Sequence, residues 1–177
     1  MKKILLSIFC ISIFIFSNAQ IASETSSDKP VVIDDIEYGY MITNESTKEA
    51  SGKEMSRYVV TLYGKNTNTC LKLFLFENRN FLGSSSAEND LAKFNCVNAT
   101  GQKLTSKGGT VELRSFYANA KVPLRGTDGK TINQDMKVQI GYALRPSETV
   151  TKSIIIICPL GEKPKIQVSP IFNPPTY

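Results

Sequence analysis

The sequence contains no histidine and no tryptophan. Without histidine there is no imidazole to act as general base, no Ser-His-Asp or Cys-His nucleophile pair and no His-ligated metal. The missing tryptophan removes the core residue typical of antibody domains. Cysteines number four, with no C-x-x-C among them, which argues against a zinc knuckle or a dithiol redox motif. No run of five Lys or Arg occurs, and the formal charge of +5 includes Lys2 and Lys3. Nucleic acid is therefore not an expected partner. Lys107-Gly108-Gly109-Thr110 lacks the spacing of a phosphate loop, and Asp34-Asp35 lacks that of a calcium loop. No cofactor and no metal is expected.

What is present begins with an export signal. Lys2 and Lys3 precede an apolar run over residues 4–16, and Ser17-Asn18-Ala19 supplies the small residues of a cleavage site. As a helix that run reaches only about 20 Å, short of the roughly 30 Å hydrocarbon core, so it reads as cleaved before Gln20. Cys10 sits mid-run after Ser7-Ile8-Phe9, without the small residue a lipobox requires. The expected product is exported, either periplasmic or on the cell surface. Residues 20–29 read as a flexible lead-in, 30–172 as one domain and 173–177 as a tail.

From Pro30 onward the dominant hydrophobic period is two, the mark of strands with one face towards a core. Ile36, Tyr38, Tyr40 and Ile42 predict a first strand over residues 31–42, closed by the polar stretch 45–54. Tyr58 to Tyr63 is apolar on both sides and reads as a central strand. Leu71, Leu73 and Leu75 form one face of a third, with Lys72, Phe74 and Phe76 on the other. Phe94 and Cys96 suggest a short fourth strand, and residues 87–94 could instead hold a helical turn.

Further on, Val111, Leu113, Ser115 and Tyr117 occupy odd positions, whereas Ala118, Ala120, Val122 and Leu124 occupy even ones. That phase change predicts a bulge near Tyr117-Ala118. Residues 126–130 form a turn with two glycines able to take positive φ, leading into the alternation of Met136, Val138, Ile140, Tyr142 and Leu144. The run from Ile154 to Cys158 predicts a strand buried on both faces. The last strand, with Pro164, Pro170 and its lysines, reads as an edge. The expected fold is an all-β antiparallel sandwich, immunoglobulin-like without the antibody disulfide or tryptophan.

After cleavage three cysteines remain, so the alternatives are no bridge, a disulfide between Cys70 and Cys96, or a pairing that uses Cys158. Carboxylates cluster at Asp34, Asp35 and Glu37, and again at Glu88 and Asp90. A hydrolase built on two carboxylates is one reading, but the alternation puts Asp35 and Glu37 opposite Tyr38 and Tyr40, which suits solvated positions. The binding candidates are Arg79, Phe81 and Leu82 in the loop of residues 78–90, and Phe172 and Tyr177 at the C-terminus. Tyr38, Tyr40 and Tyr117 are candidates for stacking on a carbohydrate.

The leader ending in Ser17-Asn18-Ala19-Gln20, the stretch Arg57-Tyr58-Val59-Val60-Thr61-Leu62-Tyr63, then Thr69-Cys70-Leu71-Lys72-Leu73 and Phe94-Asn95-Cys96-Val97-Asn98-Ala99-Thr100-Gly101 together resemble small secreted β-sandwich proteins of the Bacteroidota. The resemblance covers most of residues 56–170 and brings no functional residues. It implies a compartment in which outer-membrane assemblies carry small β-domain subunits, the type IX secretion translocon and its plug among them. The leading expectation is a non-enzymatic protein-binding domain, an accessory subunit of such a complex, with a protein partner in the cell envelope and membrane contact only through that partner. An adhesive or carbohydrate-binding module is the alternative.

Overall fold

The computed structural model describes residues 23–25, 29–76, 89–97, 108–127 and 129–171. Among these residues the chain forms strands and no helix: β1 (Ser23–Thr25), β2 (Val31–Ile33), β3 (Ile36–Ala50), β4 (Lys53–Asn66), β5 (Lys72–Leu75), β6 (Asp90–Val97), β7 (Gly109–Glu112), β8 (Arg114–Arg125), β9 (Thr131–Leu144), β10 (Thr149–Pro159) and β11 (Lys165–Pro170). Their pairings are antiparallel. Three sheets result, in the orders β1-β11-β6-β7, β10-β4-β3-β2 and β5-β9-β8. The protein is an all-β antiparallel sandwich.

The core follows from alternation. Along β4 the even positions Ser56, Tyr58, Val60, Leu62 and Asn66 are buried, and Ile36, Tyr38 and Tyr40 of β3 lie in the same layer. The first sheet answers with Phe94, Cys96, Val111, Ile166 and Val168, all in one continuous core. Each fully buried side chain of this size contributes about 1.5–3 kcal/mol, which is why the period-two pattern fixes which face turns inward. Close approach of the layers depends on glycine in two places. A Cβ on Gly64 would stand 2.7 Å from Leu91, and one on Gly109 2.7 Å from Leu62.

Several expected boundaries move. The strand expected over residues 31–42 is a hairpin, β2 and β3, reversed at Asp34 and Asp35, whose φ angles of 51° and 56° suit a two-residue primed turn. The polar stretch expected to close it is strand as well. It forms the outer half of the β3–β4 hairpin, which turns at Ser51-Gly52, both with positive φ. Polarity misleads there because that half extends beyond the core and both its faces meet water. Ser23–Thr25, expected within a flexible lead-in, pairs with β11. Residues 90–97 form β6, so the helical turn is not realised there.

The phase change between odd and even positions is real but comes at a change of sheet, since from Phe116 to Leu124 the even positions of β8 are the less exposed ones throughout. The chain leaves the first sheet after β7, passes the buried Leu113 and enters the third sheet as β8. The ladder also slips between Phe116 and Tyr117, from Phe116 opposite Gly141 to Tyr117 opposite Gln139, so the extra residue is Ile140 on β9. In the turn that joins β8 to β9, Gly129 takes positive φ and Gly126 does not.

The two last strands exchange their expected roles. β10 is an end strand of its sheet, and Ile155 is 51% exposed rather than buried. β11 is paired on both sides, by β1 and β6, and is not an edge. An apolar run of five marks a strand but carries no information about its neighbours.

Candidate protein-binding edge

β5 is held at one end of the sandwich by a knot of loops centred on Asn66. This side chain is fully buried at the end of β4, and its amide donates to the carbonyls of Cys70 at 2.9 Å, Leu144 at 3.2 Å and Arg145 at 3.1 Å. Its Oδ1 accepts from the backbone N–H of Asn68 at 3.0 Å, and its own backbone N–H donates to the Glu148 carbonyl at 3.0 Å. One residue thereby joins the β4–β5 loop to the β9–β10 turn. Asparagine suits the position because its amide has donors and an acceptor on one short, uncharged side chain.

The β2–β3 turn is tied into the same knot. Thr67 donates its backbone N–H and its hydroxyl to the Asp35 carbonyl at 2.9 and 2.8 Å. The Asp35 carboxylate accepts from Asn68 Nδ2 at 3.1 Å and stands 3.6 Å from Lys72 Nζ, which also donates to the Asp34 carbonyl. Lys72, the first residue of β5, is thus clamped to the turn. These groups are spent on holding loops together.

Within β5 the two faces differ. Phe74 packs against the core, as does Phe76 just beyond the strand, whose ring meets Tyr142 edge-on with centroids 5.4 Å apart. The opposite face carries Leu71, Leu73 and Leu75, exposed by 41%, 43% and 58%. Beneath them Gly141 of β9 lies so close to β5 that a Cβ there would overlap the Phe74 carbonyl and stand 2.9 Å from Leu75 Cα.

The edge itself is open among the described residues, since β5 ends the order β5-β9-β8. Phe76 donates its N–H to Ile140 O of β9 at 3.1 Å. By the alternation of an antiparallel ladder, Leu73 and Leu75 direct their N–H and C=O groups away from β9. A short row of strand hydrogen-bonding groups therefore lies beside a row of three exposed leucines.

The chain matches no protein-family profile, no curated protein and no solved structure.

The expected site residues fall in different places. Arg79, Phe81, Leu82, Phe172 and Tyr177 lie outside the described residues, as does Glu88. Asp35 is engaged with Lys72 and Asn68, Glu37 accepts a hydrogen bond from the Tyr63 hydroxyl at 3.1 Å, and Asp90 begins β6. The Asp35 and Glu37 carboxylates are thus committed to neighbours rather than paired across a cleft. Among the described residues no group of three or more Cys, Asp or Glu is placed to hold a metal ion.

The tyrosine platform is not formed. Tyr38 and Tyr40 are buried, at 2% and 5% exposure, and the Tyr40 hydroxyl donates to the Pro164 carbonyl at 2.9 Å. They fill the core because even positions of β3 face the opposing sheet. Tyr117 is exposed and carries Lys137 Nζ 5.5 Å above its ring.

Cys70, Cys96 and Cys158 are free thiols, so the Cys70–Cys96 bridge is absent. Cys70 is exposed in the knot beside Asn66, while Cys96 is buried in the core. Burial, and then the nearby Cys158 thiol, push the Cys96 thiol up to about 11. Burial likewise raises Cys158, followed by the charge of Glu162.

The leucine row was readable as one of two apolar faces, but alternation alone could not say which face turned outward. Leucines at odd positions and phenylalanines at even ones are equally apolar candidates. The larger rings took the core.

Proposed function

We propose that this chain is a non-enzymatic binding domain of the cell envelope, periplasmic or at the cell surface, which takes a protein partner along β5 as an accessory subunit of an outer-membrane complex, the type IX secretion translocon being one such assembly. The carrying observation is the juxtaposition of a strand edge that is open among the described residues with Leu71, Leu73 and Leu75 exposed in a row. Exposed leucines cost solvation free energy, and open edges invite unwanted pairing, so a partner that covers both relieves two liabilities at once. Strand addition of this kind draws affinity from backbone hydrogen bonds and specificity from alternate side chains. The leader supports the compartment. The burial of Tyr38 and Tyr40 weighs against the carbohydrate reading.

The test is purification of the tagged protein from its native envelope. A stoichiometric partner should accompany the unaltered protein and be lost from the double variant Leu73→Asp, Leu75→Asp while that variant remains folded by circular dichroism. Recovery of the unaltered protein alone, or retention of the partner by the variant, overturns the proposal.

A further inference from the structure

We propose that Cys96 and Cys158 are a cross-sheet pair that closes into a disulfide when the chain folds under oxidising conditions. Cys96 belongs to β6 in the first sheet and Cys158 to β10 in the second, and both are buried members of the same core.

Their levels along the sandwich are fixed by β7, which lies between them. Glu112 of β7 pairs with Asp90 of β6 and stands 3.6 Å from Lys152 of β10. At the other end of β7, Gly109 pairs with Phe94 of β6, and a Cβ on it would stand 3.0 Å from Ile154 of β10. β6 and β10 therefore run in the same direction in opposite layers. Continuing past Phe94 and Ile154, the next inward residue of β6 is Cys96, while those of β10 are Ile156 and Cys158. The two thiols arrive at the same end of the core.

Cys70 is excluded by the same geometry. Cys158 pairs with Ser56 near the start of β4, whereas Cys70 is bound by Asn66 at its end. Ten residues of strand separate those positions by about 33 Å. A disulfide requires Cα atoms within about 7 Å, so Cys70 cannot reach either partner without unfolding. For Cys96 and Cys158, facing sheets stand about 10 Å apart, so closure draws the two strand ends together by about 3 Å or more, a far smaller movement than Cys70 would need.

The oxidant is an external disulfide. One cysteine thiolate attacks it and gives a mixed disulfide, releasing one thiol. The second cysteine thiolate then attacks the protein sulfur of that mixed disulfide, forming the Cys96–Cys158 bond and releasing the second thiol. The two cysteines are oxidised, the external disulfide is reduced to two thiols, and the protons of the cysteines end on those thiols. Burial disfavours both thiolates in the folded chain, so closure proceeds while the sandwich is still open.

The test refolds the full chain with oxidised glutathione or with dithiothreitol, blocks remaining thiols with N-ethylmaleimide in denaturant, and maps the peptides by mass spectrometry. Oxidative refolding should yield the Cys96 and Cys158 peptides linked to each other, with Cys70 alkylated, and a thermal midpoint about 5–15 °C above the reduced form. Cys158→Ser should leave Cys96 alkylated, with no gain in midpoint on oxidation. Alkylation of both Cys96 and Cys158 after oxidative refolding, or linkage of either to Cys70, overturns the inference.

Discussion

The Asn66 side chain donates to the Leu144 carbonyl at 3.2 Å across the end of the sandwich, from the last residue of β4 to the last residue of β9. That bond and its companions to Cys70 and Arg145 set the position of β5, and through β5 the direction of the leucine row. Replacing Asn66 by Ala strands carbonyl groups in a buried knot. The expected cost is about 2–4 kcal/mol, because buried unsatisfied groups each cost about 1–3 kcal/mol and the loops relax in part. Urea unfolding measures it, and a loss below about 0.5 kcal/mol would remove Asn66 from its anchoring role.

Gly141→Ala should detach β5. The added methyl overlaps the Phe74 carbonyl, and backbone cannot yield as a flexible side chain does. Amide exchange in residues 72–75 should speed at least tenfold, with the β3–β4 ladder little changed. Unaltered protection of β5 would refute the close approach.

Ile155 and Ile156 are neighbours with opposite fates. Ile156 is fully buried and Ile155 half exposed. Ile156→Ala is expected to cost about 2–5 kcal/mol, whereas Ile155→Thr should stay within about 0.5 kcal/mol. Equal costs in denaturant titrations would contradict the edge position of β10.

Glu49 and Glu54 stand directly opposite one another near the tip of the β3–β4 hairpin. Like charges in that position repel, so Glu54→Lys should raise the thermal midpoint by about 1–3 °C at low salt. The gain should fade in 1 M salt through screening. A gain unaffected by salt would mean a cause other than charge.

Alkaline pH should unfold the protein early. Burial, and then the hydrogen bond to Glu37, push the Tyr63 hydroxyl up to about 12 from the usual 10. Its contribution is complete below pH 10 and is lost as pH rises from 10 through 12, because the unfolded chain releases the proton first. In the reduced protein Cys96, raised to about 11 from the usual 9 by burial and by Cys158, adds a decline that begins near pH 9. Tyr63→Phe should flatten the slope of stability between pH 10 and 12, and an unchanged slope would exclude Tyr63 as its source.

Alternation carried much of the fold. It was legible at Tyr58 to Leu62 and at Phe94 and Cys96, because a buried face demands apolar side chains at every second position. It failed at residues 45–54, where both faces of a long hairpin meet water and nothing requires apolar residues. It also failed for β10 and β11, since strand order depends on which distant segments pair. The candidate edge was half legible: the leucines were visible as a face, and their exposure was not.

The sequence by itself determined the period, the turn over residues 126–130 and the exclusion of histidine chemistry, since these depend on side-chain identity and local backbone preference. Tertiary structure alone decided that the phenylalanine face of β5 went in and the leucine face stayed out. It also decided that Tyr38 and Tyr40 fill the core, and that Cys96 faces the sheet carrying Cys158 while Cys70 stays remote. Burial is a property of what packs against a face, and those contacts join residues far apart along the chain.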